Sequence, residues 1–171
     1  MRGIALSVLV FFALLQPVEG AESGSGCDKF AWPLARERAW FAAADKIEVA
    51  AGDRLLSHPK GAFVMRLKPA TQASFALPPE KKPAPDGWFG GAVSFPALER
   101  ARVYQVTLSD EAWIDVVQDN RFVHSIGKSG RSDCLGLRKS VRFELGSTPF
   151  VLQISGAKSE TIVVAISPVD E

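Results

Sequence analysis

Histidine and cysteine each occur only twice in this 171-residue chain, as His58, His124, Cys27 and Cys134. So few imidazoles and thiols leave little room for a zinc or non-haem iron centre, which draws on several such ligands at set spacings. No H-x-H, H-E-x-x-H or C-x-x-C pattern is present. A metal set would have to gather His58, His124 and a carboxylate such as Asp115 from distant positions, and no cofactor is expected. Gly127-Lys128-Ser129-Gly130 lacks the earlier glycine of a phosphate-binding loop, where Phe122 stands, and the spacing of a G-x-S-x-G elbow. It reads as a flexible glycine-serine turn. The acidic residues Asp110, Glu111, Asp115 and Asp119 form no D-x-D-x-D calcium loop. An excess of charge of one sign is also missing: 20 basic against 19 acidic residues give a net +1. That balance points away from nucleic acid or a charged membrane as the main partner. No repeat of fixed period is visible, and no apolar run beyond the first residues is long enough to span a bilayer.

The N-terminus does carry a pattern. Met1-Arg2 is positive, Ile4 to Leu15 is apolar apart from Ser7, and Gln16-Pro17 ends the run before Val18-Glu19-Gly20. A spanning helix needs about 20 apolar residues, so residues 1–20 read as a secretory signal cut between Gly20 and Ala21. Lipid attachment at Cys27 fits less well. Gly24 stands where a leucine-like residue is expected, and the apolar run ends well upstream. Removal of the leader leaves 21–171, the size of a single domain, soluble and located in the periplasm or outside the cell. In such an oxidising compartment the cysteine pair reads as one disulfide, Cys27–Cys134. Closing so long a loop is worth about 4–5 kcal/mol in a chain-entropy treatment.

Pro33 opens a helix over Leu34 to Ala44, a stretch of good helix formers. The period then changes to two. Lys46–Ala50, Gly61–Lys68 and Gln72–Leu77 are strand-like. Residues 78–87 contain four prolines and form a surface loop, a candidate lid. Further strands follow at Arg102–Leu108, Ala112–Gln118, Arg121–Ile126, Val141–Leu145, Phe150–Ile154 and Ile162–Ile166, with a turn at Asp119-Asn120. Alternation along them gives each one buried and one solvated face. The expected fold is mainly β: a single antiparallel β-sandwich, with a jelly roll as one candidate arrangement, and one short N-terminal helix.

Candidate functional side chains are of three kinds. Asp115 alternates with Trp113 and Val117, so it points either into a cleft, as an acid or base, or onto the solvated face. Arg121, Lys128, Arg131, Arg138, Lys139 and Arg142 form a basic stretch. It would suit an anionic glycan, a phosphate or an acidic protein face, or simply keep a sheet edge soluble. Among the four tryptophans, Trp88, beside Phe89 and the proline loop, is the candidate exposed platform. Trp40 and Trp113, inside elements, are expected in the core.

Two stretches carry a resemblance: Cys27-Asp28-Lys29-Phe30-Ala31-Trp32-Pro33-Leu34 with Glu37-Arg38, and Ala112-Trp113-Ile114-Asp115-Val116 with Cys134-x-Gly136-Leu137-Arg138-Lys139-Ser140-Val141. Over nearly the whole mature chain the sequence resembles a group of small exported bacterial proteins of unknown function. Some of them carry the name homogentisate 1,2-dioxygenase. That name implies iron held by two histidines and a glutamate, and no such motif can be matched here. The C-terminal strands are similar in pattern to β-sandwich modules of secreted peptidases, which implies a fold and no catalytic residue. The expected function is a non-catalytic binding or interaction module of the cell envelope. Its surface would combine the 121–142 stretch (Lys128, Arg131, Arg138, Lys139) with the 78–89 loop (Trp88), and its partner would be an envelope protein or an anionic glycan. The alternatives are a metal-dependent enzyme and a structural envelope component.

Overall fold

A computed structural model describes residues 26–83 and 87–170. The expected leader and its cleavage point lie outside the described residues. Eleven strands follow an N-terminal 3-10 turn (Cys27–Lys29) and one helix, α1 (Ala35–Ala42). They are β1 (Glu48–Ala50), β2 (Phe63–Arg66), β3 (Lys68–Pro69), β4 (Phe89–Phe95), β5 (Arg102–Leu108), β6 (Trp113–Gln118), β7 (Arg121–Val123), β8 (Ser125–Gly130), β9 (Lys139–Leu145), β10 (Phe150–Ala157) and β11 (Thr161–Pro168).

One sheet has the order β1-β2-β11-β5-β9-β8 and the other β3-β4-β10-β6-β7. Within them, β2-β11-β5-β9 faces β4-β10-β6-β7, so the chain alternates between sheets in two Greek keys. This is a jelly-roll sandwich. The expected antiparallel pairing holds throughout these eight strands. The edge strand β1 departs from it and runs parallel to β2.

Local sequence explains the joints. Asp119 and Asn120 both adopt positive φ, 51° and 58°, and connect the paired residues Gln118 and Arg121. A two-residue turn of this hand matches the twist of the flanking strands, and Asx side chains tolerate it. The expected strand 121–126 breaks at His124: Arg121–Val123 pairs with β6, whereas β8 pairs with β9 in the opposite sheet. The supposed glycine-serine turn is therefore corrected to part of an edge strand, because Gly127 to Gly130 completes its ladder with β9.

The inner faces meet as the alternation requires. Val106, Leu108, Val141, Phe143, Leu145, Ile162 and Val164 from one sheet pack on Val93, Phe95, Ile114, Val116, Phe150, Leu152 and Ile154 from the other. Each fully buried aliphatic or aromatic side chain of this kind contributes about 1.5–3 kcal/mol of transfer free energy.

The outer faces differ from expectation. They are polar, but they are largely covered. On the first sheet the N-terminal segment lies across β5, β9 and β11. Trp32 donates Nε1–H to Ser140 Oγ at 3.2 Å, and Gln105 Nε2 donates to Glu37 Oε1 at 2.7 Å. Ser167 also bonds Glu37, which is buried. Cys27 and Cys134 are in disulfide geometry, Cα atoms 4.6 Å apart, within a small cluster of Phe30, Leu34 and Leu137. On the second sheet, residues 70–83 lie across β10 and β6. The expected strand 72–77 is not formed. Instead, Gln153 Oε1 accepts the backbone N–H groups of Ala76 and Leu77, and its Nε2 donates to Leu77 O. A side chain thus satisfies backbone groups that a neighbouring strand would otherwise have taken.

Candidate functional site: an indole and lysine pocket

The proline-rich segment and the ends of β6 and β10 enclose a pocket of about 220 Å³ lined by Lys81, Lys82, Pro83, Glu111, Ala112, Trp113, Lys139, Ser155 and Gly156. Its shape begins with a bulge. The register between β10 and β4 shifts between Ile154 and Ala157, and Gly156 takes φ 74°. A left-handed residue there favours glycine, and bulges commonly re-aim the side chains beside them. Ser155 and Gly156 are the bulge residues, and both line the pocket. Pro83 lies 3.8 Å from where a Cβ on Gly156 would stand, so the loop closes directly over the bulge.

Trp113 forms the wall opposite Ser155, its register partner. Residues 113 and 115 share a face of β6, and Trp113 Nε1–H donates to Asp115 Oδ1 at 2.7 Å. The other oxygen, Asp115 Oδ2, accepts the Glu80 backbone N–H at 3.2 Å. Asp115 is buried, which corrects its placement on a solvated face. Burial pushes its carboxyl above the ordinary carboxylate range, against the opposing pull of the bonds from Trp113 and Glu80. Trp113 is half-buried and fronts a cavity, contrary to its expected place in the core.

Two ammonium groups address the same indole: Lys81 Nζ lies 5.4 Å and Lys139 Nζ 5.3 Å from its ring centroid, within cation–π range. Lys139 is anchored by a 2.7 Å bond to Ala112 O and a 3.5 Å contact with Glu111. Burial pushes its ammonium below the usual lysine range. Glu111 opposes that shift, while Lys81 and Lys128 add to it by repulsion. Glu111 is also shared with Arg138, at 3.2 Å. At the floor, Ser155 is 1% exposed, and its Oγ is the one buried side-chain oxygen or nitrogen without a hydrogen-bond partner among the described residues. Such orphans are uncommon and ask for a reason.

No protein family, curated protein or solved structure matches the chain.

The pocket gathers one residue of the expected basic stretch, Lys139. The others diverge. Arg131 forks onto Asp133 at 3.0 and 3.1 Å, drawing that carboxyl below its ordinary value. Arg138 pairs with Glu111, Lys128 lies exposed on β8, and Arg142, on the same strand as Lys139, stacks on Trp32 at 4.1 Å. Strand alternation and the sheet crossing separate side chains that are neighbours in sequence. Trp88 is also corrected as an exposed platform: it is half-buried and tilted against Phe75, 6.3 Å away. Trp40, expected in the core, is likewise half-buried, beside Gly61.

The three-residue metal set does not assemble. His58 stacks near Phe95 and Phe150, 5.9 and 6.1 Å away, with Nε2 3.1 Å from Ala97 O. His124 lies exposed, 3.6 Å from Glu80, and both oxygens of Asp115 are engaged. Among the described residues no group of three His, Cys, Asp or Glu is placed to hold a metal ion. No helix among them is long and apolar enough to cross a membrane.

A larger cavity of about 400 Å³ includes Arg36, Glu37, Gln105 and Arg142, but its polar groups are spent internally. Arg36 bonds Asp170 and Pro168 O, and Glu37 bonds Gln105 and Ser167. The Trp113 pocket differs because its hydroxyl is unspent. Sequence reading had no signal for Ser155. It had two for the rest: the i, i+2 spacing of Trp113 and Asp115, and the Lys81-Lys82 pair inside the proline loop.

Proposed function

We propose that the chain is a non-catalytic binding module of the cell envelope that holds an anionic group of a glycan or of an acidic protein face in the Trp113 pocket. The envelope setting rests on the secretory pattern of residues 1–20. One observation carries the reading: the hydroxyl of Ser155, a residue lining a cavity that three lysines also line, is buried with no hydrogen-bond partner among the described residues. An unsatisfied buried hydroxyl costs about 1–3 kcal/mol, and a ligand oxygen would restore the missing bond. Charge supports the same reading. Lys81, Lys82 and Lys139 converge with Glu111 as the lining carboxylate, and Glu111 is already shared with Arg138. An anion between Lys81 and Lys139 would relieve their mutual repulsion. Asp115, the best acid–base candidate, does not line the cavity and spends both oxygens on protein N–H groups, which supports binding over catalysis.

The test is a fluorescence titration with two acidic polymers, polygalacturonate and polyglutamate, and with neutral dextran. At least one acidic polymer should alter tryptophan emission saturably while dextran does not. The double variant Lys81→Glu/Lys139→Glu should bind at least tenfold more weakly, and added salt should weaken binding by the wild type. Equal binding by the double variant, or none by either acidic polymer, removes the proposal.

A further inference from the structure

We infer that the group held beside Trp113 is a single hydroxylated ring bearing one carboxylate, a uronic-acid-type sugar residue. This inference rests on the binding role just proposed and names its ligand.

Size sets the first limit. At about 220 Å³ the pocket falls below the range of about 300–1,000 Å³ that accommodates drug-sized ligands. It suits one ring unit, either free or at the end of a chain whose remainder stays outside. The lining sets the second. Trp113 and Pro83 offer apolar surface, and the indole N–H is already committed to Asp115. The ring system therefore meets a ligand only through carbon. A sugar ring has such a C–H face, and aromatic residues provide the matching surface.

Polar groups set the third limit. The cationic side chains lining the pocket are lysines. Lysine is a point charge, whereas the fork geometry that matches phosphate bidentately belongs to arginine. Glu111 stands among these lysines, so a dianion would meet a fixed negative charge that a monoanion meets only half as strongly. Glu111, already paired with Arg138 and Lys139, can still accept a further hydrogen bond from a hydroxyl, which a bare anion does not offer. Ser155 can donate and accept, and its partner must reach a site that is 1% exposed. A ring with hydroxyl groups supplies donors to Glu111 and a partner to Ser155 while its carboxylate lies between Lys81 and Lys139. An aromatic acid without hydroxyls adds no hydrogen bond to Glu111.

The experiment is a titration of the ¹⁵N-labelled protein followed through the indole N–H resonance of Trp113, one of four such signals in the spectrum. The probes are glucuronate, glucose, glucose 6-phosphate and benzoate. Glucuronate should shift that resonance saturably with a Kd of about 1 mM, near the weak end of specific binding. The other three should bind at least tenfold more weakly. Ser155→Ala should weaken glucuronate binding at least fivefold, and Lys81→Met at least tenfold. Lys81 lies on the exposed loop, so its replacement keeps the test valid if a change at the anchored Lys139 disturbs folding. Tighter binding of glucose 6-phosphate or benzoate than of glucuronate overturns the inference, as does glucuronate binding that is unchanged in both variants. If polyglutamate binds through Lys81 and Lys139 while glucuronate does not, the sugar assignment fails and the binding role stands. If neither binds, both fail.

Discussion

Ser155 Oγ is a buried hydroxyl with no hydrogen-bond partner among the described residues. Removing an unsatisfied buried polar atom is neutral or stabilising, in contrast to removing one partner of a made bond. Ser155→Ala should therefore leave stability unchanged or raise it by about 1 kcal/mol, read from urea denaturation. A loss above that size would mean the hydroxyl has a protein partner after all. Asp115 offers a pH signature. Its folded carboxyl titrates above the unfolded value of about 3.9, so the folded state holds the extra proton. The stabilising contribution is then complete below the unfolded value and is lost as pH rises through the raised folded value. The stability difference between wild type and Asp115→Asn should shrink as pH climbs through that window. A difference that widens with pH would contradict the burial of Asp115.

At the scale of elements, two segments that are not strands are held to the sandwich in part by one buried polar side chain each. Gln153 makes three hydrogen bonds to Ala76 and Leu77. Gln153→Ala leaves those backbone groups unpaired and should cost about 2–4 kcal/mol. Amide exchange at Ala76 and Leu77 should accelerate well before global unfolding, since their N–H groups lose the acceptor that holds them. Uniform protection would show that the loop is held by other means. Glu37 does the same for α1. An eight-residue helix is marginal on its own, and this one docks through a carboxylate shared by Gln105 and Ser167. Glu37→Ala should destabilise by about 2–4 kcal/mol by leaving two buried donors unpaired, while Glu37→Gln, which keeps an acceptor, should cost less. These residues also show why the polar faces were misread. Alternation identifies which side chains leave the core, but it does not tell a solvated face from one that anchors a covering segment.

Over the whole molecule, the link between Cys27 and Cys134 spans 107 positions. It joins the N-terminal segment to the connection between β8 and β9. The double variant Cys27→Ser/Cys134→Ser should lose up to about 4–5 kcal/mol. The loss should be matched by reductant on the wild type, as read from the denaturation midpoint. No shift in either case would place the bridge outside the stability of the fold. The β-sandwich class, the strands from Arg102 onward other than β8, the Asp119-Asn120 turn and the cysteine pairing were legible in the sequence. Each depends on local chemistry: period-two burial, residues that accept positive φ, and an even thiol count. The site was legible only in fragments. Trp113 and Asp115 share a face by simple alternation, but Ser155, Lys81 and Lys139 come from a bulge, a loop and the opposite sheet. The crossing at His124 sets Arg121 apart from the other five basic residues, and alternation along β9 separates Lys139 from Arg142. What each strand buries follows from its own order of residues, because alternation assigns its two faces. Which outward side chains meet depends instead on where segments distant in the chain come to lie, and no local pattern records that.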